Sequence, residues 1–147
     1  MAEPPSPAAT PEIETREEVM FFDTDAGGVV HNIAYLRFIE TCRTRLGARI
    51  GLSLRDMEET QLFAVVTRTE IDYKKSARLG DELLVRGRLG CLSRARFWCD
   101  FSIQRPADGA LIVACRQSLA LVQMPAGRPQ RLPEAWFMQW PHLAAEG

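Results

Sequence analysis

Phe21-Phe22-Asp23-Thr24-Asp25-Ala26-Gly27-Gly28-Val29-Val30-His31-Asn32-Ile33-Ala34-Tyr35, running on through Leu36-Arg37-Phe38-Ile39-Glu40-Thr41 to Cys42, decides the fold. It joins a strand end to an acidic, glycine-containing loop and then to the start of the chain's one long helical pattern. Asp25 thereby falls a few residues ahead of a helix N-terminus, where unpaired N–H groups and the helix dipole favour negative charge. A carboxylate beside an anion-binding helix start is an arrangement suited to acyl transfer.

Working forward, Tyr35, Phe38, Ile39, Cys42, Leu46 and Ile50 share one side of a helix at about 100° per residue. Asn32 is the expected N-cap, and Gly51 follows the last periodic residue, where a left-handed C-terminal position is expected. A helix of roughly 18 residues at about 1.5 Å each is long for so small a chain and should form the axis of the core. Working backward, Glu12 to Phe22 is expected as the first strand, ending in Val19-Met20-Phe21-Phe22.

Beyond the helix the period changes from 3.6 to 2. Phe63, Val65, Thr67, Thr69, Ile71 and Tyr73 alternate with Ala64, Val66, Arg68, Glu70 and Asp72. Leu83, Val85 and Leu89 alternate with Leu84, Arg86 and Arg88, and Phe97, Cys99, Phe101 and Ile103 with Arg96, Trp98, Asp100 and Ser102. Ala110 to Gln123 makes a last long strand. Leu79-Gly80-Asp81, Gly90 to Ser93 and Pro106-Ala107-Asp108-Gly109 supply the turns. Such a sequence of strands predicts an antiparallel meander packed on one helix. One helix covers one face, so the remaining apolar residues call for a second copy of the chain.

The 147 residues suit one domain, and a net charge of −1 gives no basic field for nucleic acid. Residues 1–11 read as a proline-rich disordered tail, 12–124 as the domain, and 125–147 as an extension with a short helix over Glu134 to Trp140. No run approaches the roughly 18 apolar residues of a membrane helix, and the amino end lacks the character of a secretory signal, so a cytoplasmic protein is expected. Cys42, Cys91, Cys99 and Cys115 lack metal-ligand spacing, and His31 and His142 are the only histidines, so no metal is expected.

The motif Asp23-Thr24-Asp25-Ala26-Gly27-Gly28-Val29-Val30, with Tyr35 to Arg43 after it, resembles the signature of hotdog-fold acyl-CoA thioesterases of the 4-hydroxybenzoyl-CoA thioesterase group. Asp72-Tyr73-Lys74-Lys75-Ser76-Ala77-Arg78-Leu79-Gly80-Asp81-Glu82-Leu83 resembles that family's second recurrent stretch. The likeness covers roughly Glu12 to Gln123. It implies an α+β hotdog fold, with a curved antiparallel sheet of about five strands wrapped around the long helix, paired into homodimers or homotetramers with sites between subunits. It also implies Asp25 as the catalytic carboxylate and the helix-start amide at Asn32 as the group polarising the thioester carbonyl. This chain departs from the pattern at His31-Asn32, where many relatives have Tyr-His. It departs again at Phe21 and Phe22, where a tyrosine is frequent, and at Ser76, where proline is common.

Thioester hydrolysis then needs water activated and an oxyanion stabilised, because a thiol of pKa about 8.5 leaves as thiolate without an obligatory acid. Asp25 is the candidate base or nucleophile, Asn32 supplies the oxyanion hole, and His31 is an accessory candidate that orients the thioester or shares a proton. Asp23 is read as holding the loop, and Glu40 as ion-paired with Arg43 one helical turn on. Gly28, Val29, Tyr35, Lys74, Lys75 and Arg78 form the candidate substrate-binding set, with the cations meeting coenzyme A phosphates. Coenzyme A enters as part of the substrate and no cofactor is implied. Acyl carrier protein is an alternative thioester partner, and a non-catalytic acyl-CoA or lipid-binding module an alternative role.

Overall fold

The computed structural model describes residues 8–145. Strand β1 (Glu12–Glu18) leads through a short 3-10 turn (Phe21–Asp23) to helix α1 (Asn32–Arg49) and a second, seven-residue helix α2 (Leu54–Thr60). Four strands follow: β2 (Leu62–Tyr73), β3 (Glu82–Leu92), β4 (Arg96–Arg105) and β5 (Ala110–Gln123). A short β6 (Arg128–Gln130) pairs with β5 before helix α3 (Glu134–Gln139). The main sheet is antiparallel in the order β1-β3-β4-β5-β2, so β2 is an edge strand.

The sheet curls around α1, which is the hotdog arrangement that the resemblance implies. Ala34, Tyr35, Phe38, Ile39, Cys42 and Leu46 make the buried stripe of α1. They pack on Val85, Phe97, Cys99, Phe101, Ile103 and Leu119 of the inner sheet face. Contact is tight at Gly87, where a Cβ would lie 2.8 Å from the Phe101 ring and 2.9 Å from Cys42 Sγ. Only glycine lets helix and sheet approach this far.

Three expectations are corrected. The first strand ends at Glu18, not Phe22: Val19 bonds both ways with the β2–β3 connection (N to Asp81 O, 2.8 Å; O from Gly80 N, 3.0 Å), and the chain then turns so that Phe21 and Phe22 face outward at 80% and 71% exposure. Strict alternation along β2 also fails, because a bulge between Val66 and Arg68 moves the parity. Leu62 and Ala64 before it, and Ile71 after it, therefore pack on the core. The outer face, finally, is less apolar than the alternation suggested. Glu14–Arg86, Arg88–Asp100, Asp100–Arg116 and Arg116–Glu70 pair across it, with Arg116 stacked 4.4 Å from the Trp98 ring. Apolar side chains that stay exposed include Val65, Val66 and Tyr73 on β2 and Ile33 at the start of α1, besides Phe21 and Phe22.

The carboxyl-terminal segment covers one end of the sheet. Trp136 meets Phe97 edge-on at 5.2 Å, and Trp140 packs on Trp136. Of the amino end, residues 1–7 lie outside the described residues, while Ala8 N donates to Gln139 O (2.9 Å) and Thr10 Oγ1 meets His142 Nε2 (2.8 Å). Among the described residues no helix is long and apolar enough to cross a membrane.

Candidate active site

The segment between β1 and α1 is a tight hairpin. His31 N donates to Asp23 O (2.9 Å), Thr24 pairs with Val30, and Asp25 N donates to Val29 O (2.9 Å). The tip is closed by Gly28 N on Asp25 O (3.0 Å), with Gly28 at φ +76°, a left-handed conformation that favours glycine. Gly27 N donates to Asp25 Oδ1 at 2.8 Å, and a Cβ on Gly27 would stand 3.2 Å from that oxygen. Asp25 is exposed, and its second oxygen has no partner among the described residues.

Asp23, two residues away, has the opposite environment. It is 2% exposed, accepts from Met20 N at 2.9 Å, and accepts from Arg37 Nη2 of α1 at 3.3 Å. This brace fixes the hairpin to the helix it precedes, which is the loop-holding role the sequence suggested. Glu40 sits in an exposed ion pair with Arg43 at 3.8 Å, also as read from the sequence.

The hairpin's second leg pairs with the other recurrent stretch. Val29 bridges to Arg78, Val30 N donates to Ala77 O (2.9 Å), and Ala77 N donates to the Tyr35 hydroxyl (3.1 Å). Burial pushes the Tyr35 phenol above its usual range, against the lowering effect of that bond. The stretch is held in turn by Asp81, which accepts from Arg78 N (2.9 Å) and Arg105 Nη1 (3.0 Å), while the same Arg105 nitrogen reaches Ser76 O (3.1 Å). Arg105 and Arg37 were missed from sequence: Arg37 lies within the first recurrent stretch but acts through Asp23, and Arg105 lies outside both stretches and acts through Asp81, each partner being distant in the chain.

The N-cap of α1 is His31, not Asn32. His31 is extended (φ −77°, ψ 154°) because its N–H is held in the hairpin, and its Nδ1 accepts from Ala34 N at 3.1 Å. That bond requires an unprotonated Nδ1, which leaves any ring hydrogen of the neutral form on Nε2. Asn32 becomes the first helical residue, and the N–H groups of Asn32 and Ile33 have no partner among the described residues. They are the free donors at the positive end of the helix.

Asn32, Tyr35, Lys74 and Lys75 line one shallow depression of about 250 Å³, together with Val30 and Tyr73. Asp25, Gly28, Val29 and Arg78 belong to the hairpin and its paired stretch and do not line it. Burial pushes the thiols of Cys42, Cys99 and Cys115 up to about 11, 12 and 11, so none is an activated nucleophile.

Residues 19–141 match the model of the thioesterase-like superfamily, a span that holds the hairpin, the helix and the paired stretch. The chain belongs to that superfamily. It is 29% identical over 126 residues to the acyl-CoA thioesterase YbgC of Haemophilus influenzae, covering 85% of this chain and 91% of that protein. It is 27% identical over 123 residues to the 1,4-dihydroxy-2-naphthoyl-CoA hydrolase of Synechocystis, covering 81% and 87%. A probable thioesterase from Bartonella henselae superposes with a TM-score of 0.73 at 29% identity, over 85% of this chain and all (100%) of that one. Within this thioesterase-like fold, the hairpin and helix start hold a carboxylate oxygen and two N–H groups that have no partner among the described residues.

Proposed function

We propose that the chain hydrolyses acyl-CoA thioesters at the hairpin and the first turn of α1. The observation that carries this is a carboxylate with a free oxygen, Asp25, on the hairpin that delivers two unpartnered N–H groups at Asn32 and Ile33. Asp25 takes a proton from water, or attacks the carbonyl carbon itself to form a mixed anhydride that water then opens. The oxyanion of the tetrahedral intermediate accepts from the helix-start N–H groups, a single such donor being worth about a hundredfold to a thousandfold in rate. The C–S bond breaks as the intermediate collapses, and coenzyme A leaves as thiolate. His31 acts by fixing the helix start, since its Nδ1 is already engaged there.

Gly28 and Val29 border the pantetheine arm, Tyr35 walls the depression, and Lys74, Lys75 and Arg78 meet the phosphates. All three cations are exposed, which suits an acidic carrier protein as well as a nucleotide. Comparing acyl-CoA with acyl carrier protein as thioester donor separates the two. The open edge of β2, with Val65, Val66 and Tyr73 exposed on it, supports a homodimer paired along that strand, alone or as half of a homotetramer. No cofactor is needed beyond the coenzyme A of the substrate, and the four free thiols favour a reducing compartment such as the cytoplasm.

Asp25→Asn should cut thiol release from acyl-CoA by at least about a hundredfold and leave the oligomer intact by light scattering. A variant as fast as wild type would end the catalytic reading.

A further inference from the structure

At the far end of α1 from the hairpin lies a second cavity, of about 190 Å³, roofed by α2. Its walls are largely apolar, with Leu46 from α1, Ile50 just beyond it, Met57 from α2, Ala64 from β2, and Phe97 and Leu119 from the sheet, while Glu40 and Thr44 of α1 also line it. One cation, Arg43, also lines it. Arg43 is 23% exposed, and its Nη1 donates to Gln117 Oε1 at 2.7 Å. Gln117 is 4% exposed and is fixed in turn by Thr69 Oγ1 at 3.2 Å. Among the described residues the one carboxylate paired with it is Glu40, at 3.8 Å and 67% exposed, beyond hydrogen-bond length. Nε and Nη2 of Arg43 make no hydrogen bond among the described residues. A guanidinium held by a neutral amide through one nitrogen has donors to spare for a ligand oxygen.

We propose that this cavity receives the acyl end of the thioester, and that Arg43 donates there to an oxygen carried remote from the thioester carbonyl. The inference rests on the hydrolytic reading above and adds a substrate class: compact acyl groups ending in an oxygen acceptor, a carboxylate or a hydroxyl. Along one chain the cavity is out of reach, since the 11 steps from Asn32 to Arg43 span roughly 16 Å at 1.5 Å per residue. Two-fold pairing along the β2 edge is necessarily antiparallel, so the Tyr73 end of one strand lies beside the Leu62 end of its copy. The depression at Asn32 and Tyr73 of one chain thereby meets the cavity behind Ala64 of the other.

The test compares kcat/KM for suberyl-CoA with octanoyl-CoA, and for 4-hydroxybenzoyl-CoA with benzoyl-CoA. Wild type should prefer the oxygenated member of at least one pair by about tenfold or more, the size of one hydrogen bond from a charged donor. Arg43→Met should bring that ratio to near one. Gln117→Glu should do the same without a change of size, because it seats a carboxylate against the guanidinium. Which pair responds tells carboxylate from hydroxyl. Coexpressed Asp25→Asn and Arg43→Met chains should regain the preference, because a mixed dimer has one site with both wild-type residues. Calorimetry of suberate and octanoate binding separates the two readings. If no thioester is hydrolysed yet suberate binds at least tenfold tighter than octanoate and loses that margin in Arg43→Met, the inference stands and hydrolysis falls. No wild-type preference in either assay, or one that survives both variants, overturns it; coexpressed chains without preference overturn the sharing between copies.

Discussion

At its amino end α1 leaves the N–H groups of Asn32 and Ile33 without a partner among the described residues; at its carboxyl end the chain folds back so that both Ile50 N (3.1 Å) and Leu52 N (2.8 Å) donate to Gly47 O. The first end is held open by a braced hairpin and exposes polar groups. The second is closed by Gly51 in a left-handed turn (φ +84°) and leads into α2 over an apolar cavity. One helix thus presents donors at one end and an apolar recess at the other. The open end tolerates unpaired backbone because Asn32 and Ile33 are exposed to solvent while the braced hairpin keeps the chain from closing over them.

The sharpest way to break this comparison is at the brace. Asp23→Ala removes a buried carboxylate that caps Met20 N and pairs with Arg37, and it should cost about 3 kcal/mol. For a chain of this size that is a fall in Tm of roughly 10 °C by differential scanning calorimetry. Asp25→Ala, at an exposed tip, should stay within about 0.5 kcal/mol of wild type while thiol release collapses. Equal losses of stability in the two variants would mean that the hairpin does not divide its aspartates between holding and reacting.

The sequence was legible where the signal is short in range. The 3.6-residue stripe from Tyr35 to Leu46, the turn at Gly51 and the alternation of Phe97 to Ile103 all appear in the structure because each depends on neighbours a few residues away. The cap slipped by one residue, from Asn32 to His31, because the extended leg of the hairpin ends one residue earlier than composition indicates, where the His31 N–H is held by Asp23 O. The bulge in β2 was invisible because Thr67 fits either parity, and what fixes it is its Oγ1 bond to Ser118 O (3.0 Å) on β5. Of the candidate site proposed above, the motif pointed to Asp25 and the stretch around Lys74. The cavity at Arg43 needed tertiary structure, since its walls come from α1, α2, β2, β4 and β5.

Smaller effects should separate the two caps. Gly51→Ala meets no atom within 4 Å, so its cost is the left-handed conformation alone, about 1–2 kcal/mol. His31→Ala loses one side-chain bond to Ala34 N and should cost about 1 kcal/mol. Urea unfolding reads both. If His31→Ala is the more damaging, the amino end is held by its cap and not by the Asp23 brace.

The smallest expected change lies in the roof of the cavity. Helix α2 is held at its start by a reciprocal pair, Ser53 Oγ accepting from Asp56 N (3.0 Å) and Asp56 Oδ2 from Ser53 N (3.1 Å), and it has no buried residue. An element so lightly packed should open without the rest of the fold. Ser53→Ala therefore should leave global stability within about 0.5 kcal/mol of wild type, yet speed amide hydrogen exchange over Leu54–Thr60 by about fivefold, the equivalent of one lost cap. The hairpin end should show no change in exchange. Protection lost equally at both ends would mean that α1 transmits the disturbance, and the open and closed ends would then be one unit.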